Sequence, residues 1–224
     1  MKARILPSGL LLCLVLTANP GLATTQGDGW TQVVPGVLQR SLGGHKVETL
    51  ASGREGFVWL EAQLQDQLER LLEAQRLHPT ADLEETLGNH RQQIQKIQQA
   101  IRSLGSKSGG TGAKAGCNVS YSAHANALAV VSAPGVRADA DASLSNDCGA
   151  KGDTYAYAYA KANLNGTTTI LTQSDLDTGG NVGSLATASA AGTTGCDSFA
   201  FASVTSVALG INYSVSDQSF ACQF

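Results

Sequence analysis

The sequence predicts an α+β protein in which an antiparallel helical hairpin with coiled-coil-like spacing precedes an all-β antiparallel domain. Apolar residues recur at helical spacing between residues 57 and 104, and they alternate with polar residues from residue 117 onward. A run rich in Gly and Ser separates the two patterns. Spacings of 3.6 and 2 residues distinguish helices from strands, because side chains at those spacings share one face. We therefore expect five segments, residues 1–23, 24–55, 56–104, 105–116 and 117–224.

The first 23 residues have the layout of a secretory signal peptide. Lys2 and Arg4 precede an apolar run that begins at Ile5. The run ends at Leu16, and small residues lead to Ala23, after which we place the cleavage site. An apolar run this short does not reach the ~20 residues that a transmembrane helix needs. We therefore expect no transmembrane helix and a secreted protein, extracellular or periplasmic.

Residues 24–55 are predicted to form a short β-hairpin. The stretches "WTQVV" and "VLQRSL" favour strands, and Gly43–Gly44 is a hairpin turn signal before "HKVETL". A two-stranded hairpin is only marginally stable by itself. We therefore expect this one to pack on another part of the molecule.

Residues 56–104 are predicted to form two helices joined by a tight turn. The first pattern ends before Pro79, because the residue that precedes a proline avoids helical geometry, and Thr80 can cap the second helix. The second helix carries a heptad-like seam of Leu83, Leu87, His90, Ile94, Ile97, Ile101 and Leu104. His90 could be a metal ligand or a pH switch, but we favour a register-setting polar residue because no second His lies one turn away. The seam also allows self-association of copies of the chain.

The linker, residues 105–116, is flexible by composition and allows the helices and the β-domain to move independently. The β-domain has Ala at alternate positions, as in "YAYAYA" and "FAFAS". On the second strand the other face carries Arg137, Asp139 and Asp141, which cannot lie unpaired in an apolar core. We therefore expect the alanines to point inward, in a sandwich or small barrel of seven strands.

An alanine core contributes little hydrophobic free energy. One buried carbon contributes ~0.8 kcal/mol, whereas a buried Val or Leu side chain contributes ~1.5–3 kcal/mol. Four cysteines, Cys117, Cys148, Cys196 and Cys222, remain after cleavage, and an even number in an exported chain indicates disulfides. Hairpins centred near residues 134–135 and 209–211 favour the pairs Cys117–Cys148 and Cys196–Cys222. Each would stabilise the fold by roughly 3–4 kcal/mol on the chain-entropy model.

If the alanines point inward, a row of aromatic residues faces solvent and becomes the candidate binding surface. These residues are Tyr155, Tyr157, Tyr159, Phe199 and Phe201. Exposed aromatic rows are typical of contact with a protein surface or a glycan. The alternative is that the rings contact one another across strands, or that the helical hairpin or a second subunit covers them.

A metal site and catalysis have weaker support. Asp175, Asp177 and Asn181 lie in a Gly-rich stretch and could bind Ca²⁺, but an ordinary polar turn is favoured because further acidic ligands are missing. The four histidines are scattered, and no HExxH, GxSxG or P-loop motif is present. We therefore expect no cofactor and no enzymatic activity.

Charge argues against a nucleic-acid partner. From residue 117 onward the chain has three basic residues against eight Asp, whereas binding to phosphate requires cations. We therefore expect a secreted, non-catalytic interaction or structural protein that contacts cell-surface or extracellular-matrix partners through the aromatic rows. Alternatives are an outer-membrane-associated β-barrel component, suggested by the terminal Phe224, and a self-assembling extracellular fibre subunit, suggested by flat Ala-faced sheets.

The cysteine pairing can be tested by peptide mapping. Proteolysis without reduction should release one cross-linked peptide that contains Cys117 and Cys148, and a second that contains Cys196 and Cys222. The reduced and alkylated protein is the control. A cross-link between one of the first pair and one of the second pair would contradict the prediction.

Overall fold

The computed structural model describes residues 25–26, 29–106, 118–130, 135–164, 167–191 and 198–221. The predicted signal peptide, most of the predicted linker and three of the four cysteines (Cys117, Cys196 and Cys222) lie outside the described residues. The α+β class is confirmed, because two helices are followed by a β-rich domain of antiparallel sheets that does not close into a barrel.

The described residues form eleven strands and two helices. In chain order they are β1 (Thr25–Gln26), β2 (Trp30–Val34), β3 (Val37–Gly43), β4 (Lys46–Ser52), α1 (Gly53–Leu77), α2 (Ala81–Ser106), β5 (Val119–Ala129), β6 (Val136–Asn146), β7 (Gly152–Leu164), β8 (Thr167–Gly179), β9 (Val182–Ala190), β10 (Ser198–Ala208) and β11 (Ile211–Ala221).

The strands form two sheets of unequal size. The large sheet has the order β1-β2-β3-β4-β11-β10-β7-β8, and the small sheet has the order β5-β6-β9. β4 pairs with β11, with Glu48 opposite Val215. The N-terminal segment forms the four strands β1–β4 instead of a single hairpin, and it extends the large sheet instead of packing on it from outside.

The alanines lie between the two sheets, as the alternation predicts. Ala158 on β7 is fully buried, and Ala140 on β6 and Ala186 on β9 are at most 1% exposed. This cluster is nearly all alanine, with Val136, Val204 and Val215 as larger members.

Two details of the strands differ from the sequence-based expectation. β6 pairs with β5 so that Val136 faces Ala129, which shifts the hairpin register by four from one centred on residues 134–135. β8 continues to Gly179, whereas the alternation suggested an end near residue 174, because pairing of Gly152 with Gly179 carries the ladder to the end of β7.

The helical hairpin packs on the opposite face of the large sheet, which makes a third layer. Leu71 of α1 and Leu83 and Leu87 of α2 form one buried cluster with Tyr155 and Tyr157 of β7. The expectation that the helices move independently of the β-domain is therefore wrong. The composition of the linker describes only the linker itself, whereas the apolar surfaces on either side of it favour contact.

Polar contacts also join α2 to the large sheet. The Asn89 amide donates a hydrogen bond of 3.0 Å to the Ser174 hydroxyl of β8, and Lys96 Nζ lies 2.9 Å from Asp153 Oδ1 of β7. The seam of α2 is thus buried partly by α1 and partly by the sheet. Coiled-coil geometry between the helices stays a prediction.

Side chains of the large sheet cap part of the β5 edge of the small sheet. The Ala127 N–H donates to Asp217 Oδ2 at 3.0 Å, and the Ala129 N–H donates to Ser219 Oγ at 3.1 Å. Both acceptors belong to β11. They occupy backbone donors that a neighbouring strand would otherwise fill.

The β9 edge is capped in the same way by β8. The Leu185 N–H donates to Asp175 Oδ2 at 3.1 Å, and the Thr187 N–H donates to Gln173 Oε1 at 2.6 Å. The sandwich is therefore held together at both sides by side-chain acceptors instead of by a continuous ladder.

The packing of the alanine layer predicts a specific cost for enlargement. Ala158→Leu should lower the free energy of unfolding by about 1–3 kcal/mol, because added carbons at a fully buried site force the facing sheet to move. Urea denaturation measures the change. Ala191→Leu, at an exposed position next to β9, is the control and should change stability little. Equal stability of both variants would contradict the prediction.

Candidate functional site

The first half of the aromatic row lies under the helical hairpin. Tyr155 is 1% exposed and Tyr157 is 2% exposed, so the prediction that they face solvent is wrong. Alternation along β7 does place them opposite the alanines. The face that the alternation assigned to solvent is instead the face that the helices cover.

The covering residues are apolar and come from three elements. Leu71 and Ala74 of α1, Leu83 and Leu87 of α2, and Ile170 of β8 complete the buried cluster. The alternative interpretation, in which the helical hairpin covers the rings, describes Tyr155 and Tyr157 correctly.

His90 of α2 joins the two helices to this row. Its Nε2 lies 3.0 Å from the carbonyl oxygen of Leu64 in α1, and its Nδ1 lies 2.7 Å from the Tyr155 hydroxyl. A carbonyl only accepts, so Nε2 carries the proton and Nδ1 accepts from the tyrosine. The ring also contacts Tyr157 edge-on, with centroids 5.5 Å apart.

Burial shifts the acid–base equilibria of this group. Loss of hydration lowers the pKa of His90 to about 4, although its hydrogen bond to the Leu64 carbonyl opposes the shift. Burial likewise raises the pKa of Tyr155 and of Tyr157. All three side chains are therefore neutral at physiological pH, which suits a structural role in the core.

The second half of the aromatic row lies near the start of β10 and the end of β11, beyond the part that the helices cover. Tyr159 lies opposite Phe201, and Phe199 lies opposite Phe220. The rings of Phe199 and Phe220 have centroids 4.7 Å apart, and those of Tyr159 and Phe199 are 6.0 Å apart. Phe220 is 51% exposed, whereas the other three rings are partly buried. We call these four residues the aromatic patch.

Phe220 was not among the residues that the sequence indicated. Its signal was nevertheless present, because a hairpin centred near Leu209–Gly210 places Phe220 across from Phe199 on the same face. The aromatic patch also has polar neighbours: Lys161 lies opposite Phe199 on β7, and Gln218 lies opposite Phe201 on β11. An apolar centre with a polar rim is typical of a contact surface.

The three residues considered for calcium have other hydrogen-bond partners. Asp175 accepts from the Leu185 N–H, and Asn181 Oδ1 accepts from the Asn146 N–H at 2.9 Å. Asp177 accepts from the N–H of the next residue. Within the described ranges, no group of three or more His, Cys, Asp or Glu side chains is placed to hold a metal ion.

A groove of about 430 Å³ lies at the opposite end of β11 from the aromatic patch. Leu38 of β3, Leu50 of β4 and Ile211 of β11 line it, together with Tyr121 of β5 and Gln32 of β2. Sequence reasoning missed this groove, because its lining comes from both sheets.

A charged pair lies next to the groove on the same face of the large sheet. Arg40 and Glu48 are opposite each other on β3 and β4 and form an ion pair. The Tyr213 hydroxyl donates to Glu48 Oε1 at 2.6 Å, and the Arg40 guanidinium lies 4.8 Å from the Trp30 ring centroid. Burial, together with the hydrogen bond and negative charge of Glu48, raises the pKa of Tyr213 to about 12.

Comparisons with protein-family models, with curated proteins and with solved structures found no significant match. Within the described part of the chain, neither helix combines the length and the apolar character needed to cross a bilayer.

The buried His90 predicts a defined acid sensitivity. Its pKa is about 4 in the folded state against an ordinary value of 6.5, so the unfolded chain binds a proton at this site first as the pH falls. The free energy of unfolding should be unaffected by this group above pH 6.5, fall by about 3 kcal/mol between pH 6.5 and 4, and level off below. Chemical denaturation at a series of pH values measures it.

The controls are two glutamine variants. His90→Gln should lose most of the fall in stability between pH 6.5 and 4, because the amide can donate and accept but does not titrate. His124→Gln, at an exposed position on β5, should retain it. Identical pH profiles for the two variants would contradict the prediction.

Proposed function

We propose that this protein is a secreted, non-catalytic interaction protein that contacts a protein or glycan surface through the aromatic patch. The observation that carries the proposal is the position of Phe220, whose half-exposed ring packs against Phe199 at 4.7 Å. Holding large apolar rings at the surface loses the stabilisation that burial would give. A half-exposed ring with three partly exposed aromatic neighbours therefore favours a binding role.

The surroundings of the aromatic patch favour a protein partner over a glycan. Phe199, Phe201 and Phe220 supply flat apolar area without polar atoms, which suits the desolvated centre of a protein interface. Tyr159 is held partly buried, and burial raises the pKa of its hydroxyl to about 12. Lys161 and Gln218 can contribute hydrogen bonds at the rim.

The export part of the proposal includes the predicted disulfides. Asp147 and Asn118 hydrogen-bond to each other, with 2.9 Å between the Asn118 N–H nitrogen and Asp147 Oδ1. In the sequence, Asn118 directly follows Cys117 and Asp147 directly precedes Cys148. The contact between Asn118 and Asp147 therefore supports the first of the two predicted pairs. The N-terminal charged and apolar layout supports secretion.

A fibre subunit is a weaker candidate. Fibres grow by pairing of free strand edges, and here acceptor side chains, Asp175 and Gln173 on one side and Asp217 and Ser219 on the other, occupy part of both edges of the small sheet. Association through the α2 seam is also disfavoured, because that seam is largely buried within the molecule.

A binding screen tests the aromatic patch. The full mature chain is applied to a glycan array and to immobilised extracellular-matrix and cell-surface proteins, and each positive is compared with Phe220→Ser. Affinity should fall about 10-fold or more, the loss expected for removing a central aromatic side chain from an interface. Leu185→Ser is the control, because Leu185 is 62% exposed on the small sheet. Equal binding by Phe220→Ser and wild type would remove the aromatic patch from the proposal.

A further inference from the structure

The side-chain capping of β5 covers only its second half. The backbone N–H groups of Ala127 and Ala129 donate to the side chains of Asp217 and Ser219, respectively. β5 and β11 therefore run side by side in the same direction, and each step of two residues on one matches a step of two on the other. The same steps bring the earlier residues of β5 alongside the earlier residues of β11. This alignment places Tyr121 beside Ile211, and the Tyr121 ring reaches Tyr213, one step further along β11, with ring centroids 5.6 Å apart.

Beside the first half of β5, β11 provides no further side-chain acceptor for the backbone N–H groups. One step before Asp217 is Val215, which has no polar side-chain atom, and one further step is Tyr213. The Tyr213 hydroxyl is already committed as a donor to Glu48. The first half of β5 therefore lies beside side chains that do not cap its backbone.

Every second residue in the first half of β5 points its backbone N–H and C=O groups away from β6. In an antiparallel pair, the N–H and C=O groups of every second residue point to the same side of the strand. Ala127 directs its N–H away from β6 and toward Asp217. Tyr121 and Ala123 share that direction and are only partly buried, whereas Ala125 shares it but is fully buried. Among the strands described, β5 is hydrogen-bonded in a ladder only to β6.

An apolar floor lies beside this edge. The large sheet continues past β11 into β4, β3 and β2, whereas the small sheet stops at β5. Leu50 lies opposite both Leu38 and Tyr213, so the three side chains share the face that the small sheet leaves open. With Ile211, which is 41% exposed, these leucines line the groove that meets β5 at Tyr121.

We propose that the first half of β5 and the adjoining groove bind an extended peptide segment of a partner protein, which adds to β5 as a fourth strand of the small sheet. Backbone groups at alternate positions of β5 select an extended backbone. The apolar floor selects apolar side chains at every second position of that segment, because successive side chains of a strand point to opposite faces. The partner chemistry is thus a strand-forming peptide with alternating apolar residues.

This site is independent of the aromatic patch. The groove lies at the Ile211 end of β11, and the aromatic patch lies at the Phe220 end of the same strand. A variant that disables one should leave the other intact. The binding tests of the groove and of the aromatic patch can therefore fail or succeed separately.

The test uses the full mature chain and a fluorescein-labelled, acetylated and amidated probe peptide with alternating Val and Thr and two terminal lysines. Its control has the same composition, with all valines grouped at one end. Fluorescence polarisation should show saturable binding of the alternating peptide, and at least tenfold weaker binding of the grouped one. Absence of binding by the alternating peptide, or equal binding of both, would overturn the proposal.

Two substitutions locate the site. Ile211→Glu places a charge on the floor, and Ala123→Pro removes an outward N–H without removing a bond to β6. Each should weaken binding of the alternating peptide at least tenfold. The matched control, Leu185→Glu, is an exposed apolar-to-charged change elsewhere in the fold and should bind like wild type.

Circular dichroism establishes that each variant is folded, and Ile211→Glu decides the question if Ala123→Pro does not fold. Unchanged binding by Ile211→Glu would overturn the proposal. Sedimentation equilibrium adds one outcome: a dimer in wild type that is lost in Ile211→Glu would assign the groove to a second copy of the chain, and that would also overturn it.

Discussion

Burial of Tyr155 and Tyr157 between the large sheet and the helical hairpin joins the helical layer to the β-sandwich. The two faces of β7 are unequal, because alanines fill one and aromatic rings fill the other. A buried methyl contributes ~0.8 kcal/mol, whereas a buried aromatic side chain removes roughly 150–250 Å² from water. The alanine layer alone is a thin core, so the helices are part of the folding unit. His90 of α2 links the helical hairpin to the large sheet, because it is hydrogen-bonded both to the Leu64 carbonyl of α1 and to the Tyr155 hydroxyl of β7.

The unequal sizes of the two sheets create the surfaces that remain available. Where the small sheet covers the large one, alanines fill the interface and side chains such as Asp175 and Asp217 cap the small sheet's edges. Where it stops, the inner face of β2, β3 and β4 stays open and forms the groove. At the other end of the molecule the aromatic row continues to the half-exposed Phe220.

Much of the architecture could be predicted because it follows from local periodicity. The helical spacing around Leu64 and Leu87 and the alternation around Ala158 identified the elements and the inward direction of the alanines. The exposure of Tyr157 could not be predicted in this way. Alternation states that a strand has two different faces, and it does not state what packs on the second one. Phe220 could have been found, since hairpin register places it opposite Phe199.

Local periodicity was enough to predict the two helices, most strands of the β-domain and the alanine face, because each is a property of one segment or of two neighbours along the chain. Three features could not be read from any one segment: the cover of helices over the tyrosines, the pairing of β4 with β11, and the uncapped half of β5. These depend on contacts between residues far apart in sequence, as His90 and Tyr155 are. The free energy of such contacts comes from the area that two surfaces bury together, and neither segment carries that information alone.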